Sequence, residues 1–265
     1  MDRQRDITFF SLASSSEGNC FYLGTAAGGV LVDAGIGVRK ILATLCQYNI
    51  PLQSIKGLFV THDHSDHTRA VCSLAERYGI PVYATAPVVE GINATTQTKY
   101  RLCSCVTCLT KEQSVTVGDF TVTAFDLPHD ASDCVGYSFE AFDKRFTLMT
   151  DLGHITAVAR QYIAASNYLV IESNYDRQML AANPTYPYIL KQRIDSNYGH
   201  LCNEQTAEVL AELCHPQLKR IWLCHISRDN NTPQMALETV CQALQGRDVI
   251  VQALERTNPS PLLLL

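Results

Sequence analysis

Residues 61–70 read THDHSDHTRA and set His62, His64, Asp66 and His67 within six positions, directly after the apolar run IKGLFV. Two residues apart at the end of a strand, His62 and His64 face the same way. Asp66 and His67 open the segment that follows, where a helix start lets both side chains bend back to the same point. Neutral imidazole nitrogens suit Zn²⁺ and similar borderline cations, and a carboxylate suits a cation that must stay hydrated and Lewis-acidic. Packed this densely, His62 and His64 can serve one metal, and Asp66 and His67 a second about 3.5–4 Å away. The bland alternative is a polar loop that carries histidine by chance. Three of the chain's eight histidines in six positions argue against it.

One segment cannot complete two coordination shells, so more ligands are required at later strand ends. His129 in FDLPHDAS, Asp151 in LMTDLGH and His225 in IWLCHIS each stand where an apolar strand stops. Strand ends are where sites supported by a sheet are built. A carboxylate such as Asp151 can bridge two cations, and His129 and His225 would complete one each. Taken singly, each is as readily a polar strand end; taken with the histidine-rich segment they form a constellation.

The elements that must position these residues follow from apolar periodicity. ITFFSLA, CFYLGTA and GGVLVDAG read as strands, VRKILATLCQYN as a helix, and IKGLFVT as a buried strand. DHTRAVCSLAERYG reads as one helix closed by Gly79, and PVYAT as a further strand. Gly118-Asp119 between alternating runs marks a hairpin, and the same logic places a turn at Asp143-Lys144. HITAVARQYIAAS and CNEQTAEVLAELC read as helices, the second capped by Asn203. YLVIES and RIWLCHIS are strands, and TPQMALETVCQAL a last helix with Pro233 in its first turn. No linker or repeat interrupts the chain, so residues 1–265 are expected to form a single domain. Its two halves point to two packed sheets with helices outside.

Composition narrows the class. The chain has 265 residues, 46% of them hydrophobic, and a net charge of −5 with its lysines and arginines scattered. That disfavours a generally basic nucleic-acid binder while leaving room for a local basic groove. The start MDRQRDITFF has no long apolar stretch, and the apolar runs fall short of the ~20 residues that a membrane helix needs. The chain is therefore expected to be cytoplasmic, with no membrane contact. Eleven cysteines, an odd number, argue against a disulfide framework. Buried apolar thiols suit Cys20, Cys46, Cys72, Cys214, Cys224 and Cys241. Cys103, Cys105 and Cys108 lack paired CxxC spacing and have no assigned role.

THDHSDH after a strand, VDAG upstream, and His129, Asp151 and His225 downstream together resemble the metallo-β-lactamase-fold hydrolases. The resemblance spans about residues 7 to 230. It implies an α/β fold, a four-layer αββα sandwich, with two divalent metal ions at its open edge: Zn²⁺ first, with Mn²⁺ or Fe in its place. It implies that Asp33 orients the histidine-rich loop without touching metal. SLASSSEGNC, PHDASDCVGY, TDLG, ESNYD, GHLCN and LCHISRDNNTP resemble the WalJ/VicX-like (YycJ-type) group, which is similar to bacterial exonucleases acting at DNA 5′ ends. That group usually has a glycine before the serines and another directly after them; here Ala13 and Glu17 stand instead.

Ser14, Ser15, Ser16 and Asn19 could offer hydroxyls and backbone N–H groups to an anion, or simply form a solvated turn. The resemblance to tRNA 3′-processing endonucleases of the same fold pairs Glu172 with His200. Glu172 would raise the imidazole pKa and let His200 protonate a leaving oxygen or grip a phosphate. Arg228 could meet a phosphate. A water held between two metals would become hydroxide near neutral pH, with Asp66 and Asp151 fixing its position. The interval from Asp151 to His225 leaves no room for the large inserted domain of the RNA-processing relatives. The expected function is a dinuclear-metal phosphodiesterase, a DNA 5′-exonuclease acting on DNA. The alternatives are a small-molecule phosphodiesterase, thioesterase or lactonase, and an iron-loaded redox or regulatory protein. No protein partner is legible.

Overall fold

The computed structural model describes residues 5–95 and 101–265. The chain forms two compact units, the first from residues up to Ala124 with Ala131–Asp133 and Glu255–Leu265, the second from Phe125–Asp130 and Cys134–Leu254. The first contains β1 (Thr8–Ser15), β2 (Gly18–Thr25), β3 (Gly28–Val32), α1 (Val38–Gln47), β4 (Ile55–Phe59), α2 (Ser65–Thr68), α3 (Val71–Tyr78), β5 (Val82–Thr85), α4 (Ala86–Thr95), β6 (Val106–Leu109) and β7 (Ser114–Val117). Strand β8 (Phe120–Asp126) begins there and ends in the second unit. The second unit continues with β9 (Val135–Ala141), β10 (Lys144–Met149), α5 (Ala157–Ala165), β11 (Tyr168–Glu172), α6 (Arg177–Ala182), α7 (Tyr188–Ile194), α8 (Asn203–Leu213), β12 (Arg220–Cys224), α9 (Pro233–Ala243) and β13 (Ile250–Ala253). The last strand, β14 (Leu263–Leu264), belongs to the first unit.

In the first unit the sheet runs β14-β1-β2-β3-β4-β5-β6. Its pairings are antiparallel up to β3 and parallel from β3 to β6. In the second unit β13, β12, β11 and β10 pair in parallel and β9 joins antiparallel. Parallel strands covered on both faces need near-continuous apolar runs. β4, β11 and β12 supply them, with Leu58, Phe59, Val170, Ile171, Trp222 and Leu223 all buried. Each unit has its own core. Phe10, Leu31, Leu58, Val71 and Val82 belong to the first; Met149, Leu169, Ile221, Leu210 and Val240 belong to the second. No helix among the described residues is long and apolar enough to cross a membrane.

Four local expectations need correction. The helix expected over residues 66–79 is two helices, α2 and α3, broken at Arg69 and Ala70. The Ala70 N–H donates to the Ala34 carbonyl, and the Ala34 N–H to that of His67, so an adjacent loop takes up the backbone groups. The cap of α8 is Cys202, whose Sγ accepts from the Gln205 N–H; Asn203 is instead the first helical residue and is fully buried. The β9–β10 turn is centred on Phe142 and Asp143, both at positive φ (53° and 62°), and Lys144 already opens β10. Cys46 and Cys241, expected to be buried, are exposed. Helices α4, α6 and α7 and the short strands β6, β13 and β14 were not legible. All but α4 are seven residues or shorter, and α4 lacks a clear apolar stripe.

Candidate metal centre

In the first unit the carboxyl ends of β3 and β4 carry the chemistry. Asp33 follows β3 with φ 58°, a left-handed conformation that is uncommon outside glycine. Its fully buried carboxylate accepts from the Thr61 N–H (2.9 Å), the Thr61 hydroxyl (2.9 Å to Oδ2) and His67 Nδ1 (2.7 Å). The Thr61 oxygen in turn lies 3.0 Å from His62 Nδ1. The rings of His62 and His64 are 4.7 Å apart and those of His62 and His67 4.1 Å. Asp66 Oδ2 lies 3.4 Å from His67 Nε2. Asn19 is fully buried, and its amide nitrogen donates to the Ser15 carbonyl and sits 2.9 Å from His67 Nε2. Asp63 accepts from the Ser132 N–H and hydroxyl (3.1 and 2.6 Å), a loop anchor.

Close backbone approach holds this arrangement. A Cβ added to Gly35 would lie 1.5 Å from the Asp66 carbonyl oxygen, so only glycine lets the Asp33 loop press against the Asp66 turn.

In the second unit Asp151, two residues past β10, and His225, directly after β12, both take positive φ, 59° and 53°. Non-glycine residues in this region cluster at functional sites. Glu172 ends β11 fully buried and accepts from four donors. These are the N–H groups of Leu152 (3.1 Å) and Leu201 (3.0 Å), His200 Nδ1 (2.8 Å) and His225 Nδ1 (2.9 Å). Asn174 donates to the His225 carbonyl at 2.8 Å and fixes its backbone. His129 Nδ1 donates to the Gly199 carbonyl at 3.0 Å, and its Nε2 lies 3.9 Å from Asp151 Oδ1. Burial works against charge on both Glu172 and His200, yet their pairing outweighs it. Glu172 titrates below the usual carboxylate range and His200 above the usual imidazole range.

The donor chemistry fits divalent cations. Asp151, Glu172, His200 and His225 each offer a ligand atom within 4.8 Å of the others. Five imidazoles, those of His62, His67, His129, His200 and His225, have Nδ1 held by a hydroxyl, carboxylate or carbonyl. An outer partner on one ring nitrogen fixes the tautomer and presents the other as the ligand.

The anion-binding expectations divide. Ser15 and Ser16 line a cavity in the first unit; Ser14 and Asn19 are fully buried and do not. Arg228 is exposed on the loop after β12. Among the described residues, no cluster of three potential ligands includes Cys103, Cys105 or Cys108. Sequence reasoning missed Thr61 and Asn174, which carry no metal-ligand chemistry of their own. It also missed the cavity-lining cations Arg69, which follows the metal-ligand pattern without being part of it, and Arg256, which has no motif around it.

The family of beta-lactamase superfamily domains matches residues 29–226. The exodeoxyribonuclease YycJ of Bacillus anthracis is 35% identical over 244 residues, covering 90% of this chain and 89% of that protein. The exodeoxyribonuclease WalJ of Streptococcus pneumoniae is 33% identical over 238 residues, covering 90% and 88%. Among solved structures, the metallo-β-lactamase fold protein YhfI of Bacillus subtilis aligns with a TM-score of 0.73 at 14% identity, over 97% of this chain and 99% of that one. The short form of human tRNase Z aligns at 0.62 and 18% identity, over 97% and 98%. These likenesses show the fold, an αββα sandwich of two sheets flanked by helices. With its histidine and carboxylate donors standing at the ends of the strands, the chain belongs to the beta-lactamase superfamily, in the group of YycJ and WalJ.

Proposed function

We propose that this protein is a metal-dependent exodeoxyribonuclease that releases nucleotides from DNA 5′ ends. The observation that carries the DNA substrate is the likeness to YycJ over 90% of the chain, at 35% identity. His62, His64, Asp66 and His67 of the first unit, and His129, Asp151 and His225 of the second, are the residues that would hold divalent metal. Zn²⁺ suits this donor set best, and Mn²⁺ or Fe can replace it. Bound there, the ions would supply Lewis acidity toward a phosphodiester and a water-derived nucleophile at neutral pH.

The remaining roles belong to the chain. Asp66 positions the attacking water, and Asp33 fixes the ring of His67. Glu172 holds His200 at 2.8 Å and, against the cost of burial, favours its charged form. His200 is thereby placed to donate a proton to the leaving oxygen. The two units act as one catalytic domain, a reading supported by a family match that runs through both. Eleven cysteines with no disulfide among them support the reducing cytoplasm as its location.

The test is digestion of 5′-labelled and 3′-labelled duplex DNA with added Mn²⁺ or Zn²⁺, beside an Asp66→Ala, His67→Ala variant. Metal-dependent release of the 5′ label by the wild type alone is expected. A wild type that leaves DNA intact but hydrolyses a simple phosphodiester or thioester would replace this reading with a small-molecule hydrolase, which the net charge of −5 favours.

A further inference from the structure

We infer that the cavity beside Asp66 in the first unit is a pocket for the terminal phosphomonoester of a DNA strand. The inference rests on the nuclease reading and deepens it: an exonuclease must recognise an end, and the pocket supplies the means. The cavity measures about 520 Å³, within the range of small-ligand pockets and larger than one phosphate requires. Three cations line it from distant parts of the sequence: Lys40 in α1, Arg69 after α2, and Arg256 after β13.

Each cation reaches the cavity for a structural reason. Lys40 is steadied by the Thr257 carbonyl, to which its ammonium donates. Arg256 is brought to β1 because its carbonyl accepts from the Ser14 N–H at 3.2 Å. Arg69 stands at the break between α2 and α3, where the Ala70 N–H is tied to the Ala34 carbonyl. Ser15 and Ser16 contribute polar groups on the same wall, and the first turn of α1 has no acidic residue to oppose an anion. A terminal monoester carries about 1.5 to 2 negative charges near neutral pH against one for a backbone diester, so convergent cations select the end.

Two carboxylates also line the cavity, Asp66 and Glu17. Asp66 is engaged with metal in the proposed reaction and marks the wall nearest the chemistry. Glu17 is exposed on the β1–β2 turn and opposes the anion, which makes it a lever. Its removal should strengthen the pocket while removal of the arginines abolishes it.

The test is fluorescence anisotropy with internally labelled duplex DNA bearing a 5′-phosphate, a 3′-phosphate or hydroxyls only. Wild type, Arg69→Ala/Arg256→Ala and Glu17→Gln are compared in chelator, so that no metal attracts the phosphate. Wild type is expected to bind one phosphorylated end at least about tenfold more tightly than the hydroxyl end. The double variant should lose that preference, and Glu17→Gln should enlarge it. The preferred end, 5′ or 3′, identifies the polarity. Equal binding of all three duplexes, or a preference that survives in the double variant, overturns the pocket. A parallel digestion separates the two readings. Degradation without end preference keeps the nuclease and removes the pocket; end preference without degradation does the reverse.

Discussion

At the scale of the residue, the centre is governed by atoms that would not touch a metal. Glu172 accepts from two imidazoles and two backbone N–H groups, so no lone pair is idle and both rings are locked. Replacing it by Gln keeps the shape, removes the charge that favours protonated His200, and puts an N–H where an acceptor is needed. Glu172→Gln is expected to lower metal affinity or turnover about 10- to 100-fold, as outer partners of ligands do. Chelator competition and initial rates on DNA check it. Asp33→Asn should act on the same scale through His67 and, by way of Thr61, His62. Gly35→Ala is expected to cost about 1–3 kcal/mol, because the new Cβ meets the Asp66 carbonyl and the two loops must part. A lower urea midpoint together with a lower bound-metal content would show it. An unchanged midpoint would mean that the loops separate freely.

At the scale of the element, strands end where function begins. Asp33, Asp151 and His225 all leave their strands in the left-handed region, which turns each side chain off the sheet direction. Such conformations cost of order 1–3 kcal/mol each and persist only where surrounding bonds over-determine them. For Asp33 those bonds are to Thr61 and His67; for His225 they are to Asn174 and Glu172. Helices are set by more ordinary means. Thr156 caps α5 by accepting from the Ala159 N–H at 3.0 Å, so Thr156→Ala should cost about 1 kcal/mol. Chemical denaturation would measure that loss, while bound metal and DNA hydrolysis at 25 °C stay as in the wild type. A fall in activity without a fall in stability would instead tie α5 to the site.

At the scale of the whole molecule, the reactivity of the eleven cysteines reports the fold. Cys46, Cys103, Cys108 and Cys241 are exposed. Burial pushes the thiols of Cys20 and Cys224 well above the usual range and that of Cys202 to about 11. Because the thiolate is the reactive form, titration with a disulfide reagent should show fast reaction confined to the exposed thiols. Cys20, Cys202 and Cys224 should react only in denaturant, as peptide mapping of the labelled protein would verify. Early labelling of Cys224 would place β12 nearer solvent than the structure has it.

The amino-acid sequence by itself made legible the candidate donors of the centre and most of the strands that end at them. Metal ligation demands rare residue types at tight spacing, and buried parallel strands demand unbroken apolar runs. Both signals are local, so His62, His64, Asp66 and His67 could be read beside IKGLFV without any fold. Only the tertiary structure decided what has no local signature. The break between α2 and α3 depends on hydrogen bonds to a loop more than thirty residues away, which outweigh the helical pattern around Arg69. Cys202 displaces Asn203 as a cap because the buried Asn203 side chain bonds instead to Ser173 and Asn231. Arg69 and Arg256 share a cavity because the chain's return past β13 is tied to β1 by backbone bonds, which any residue type can make.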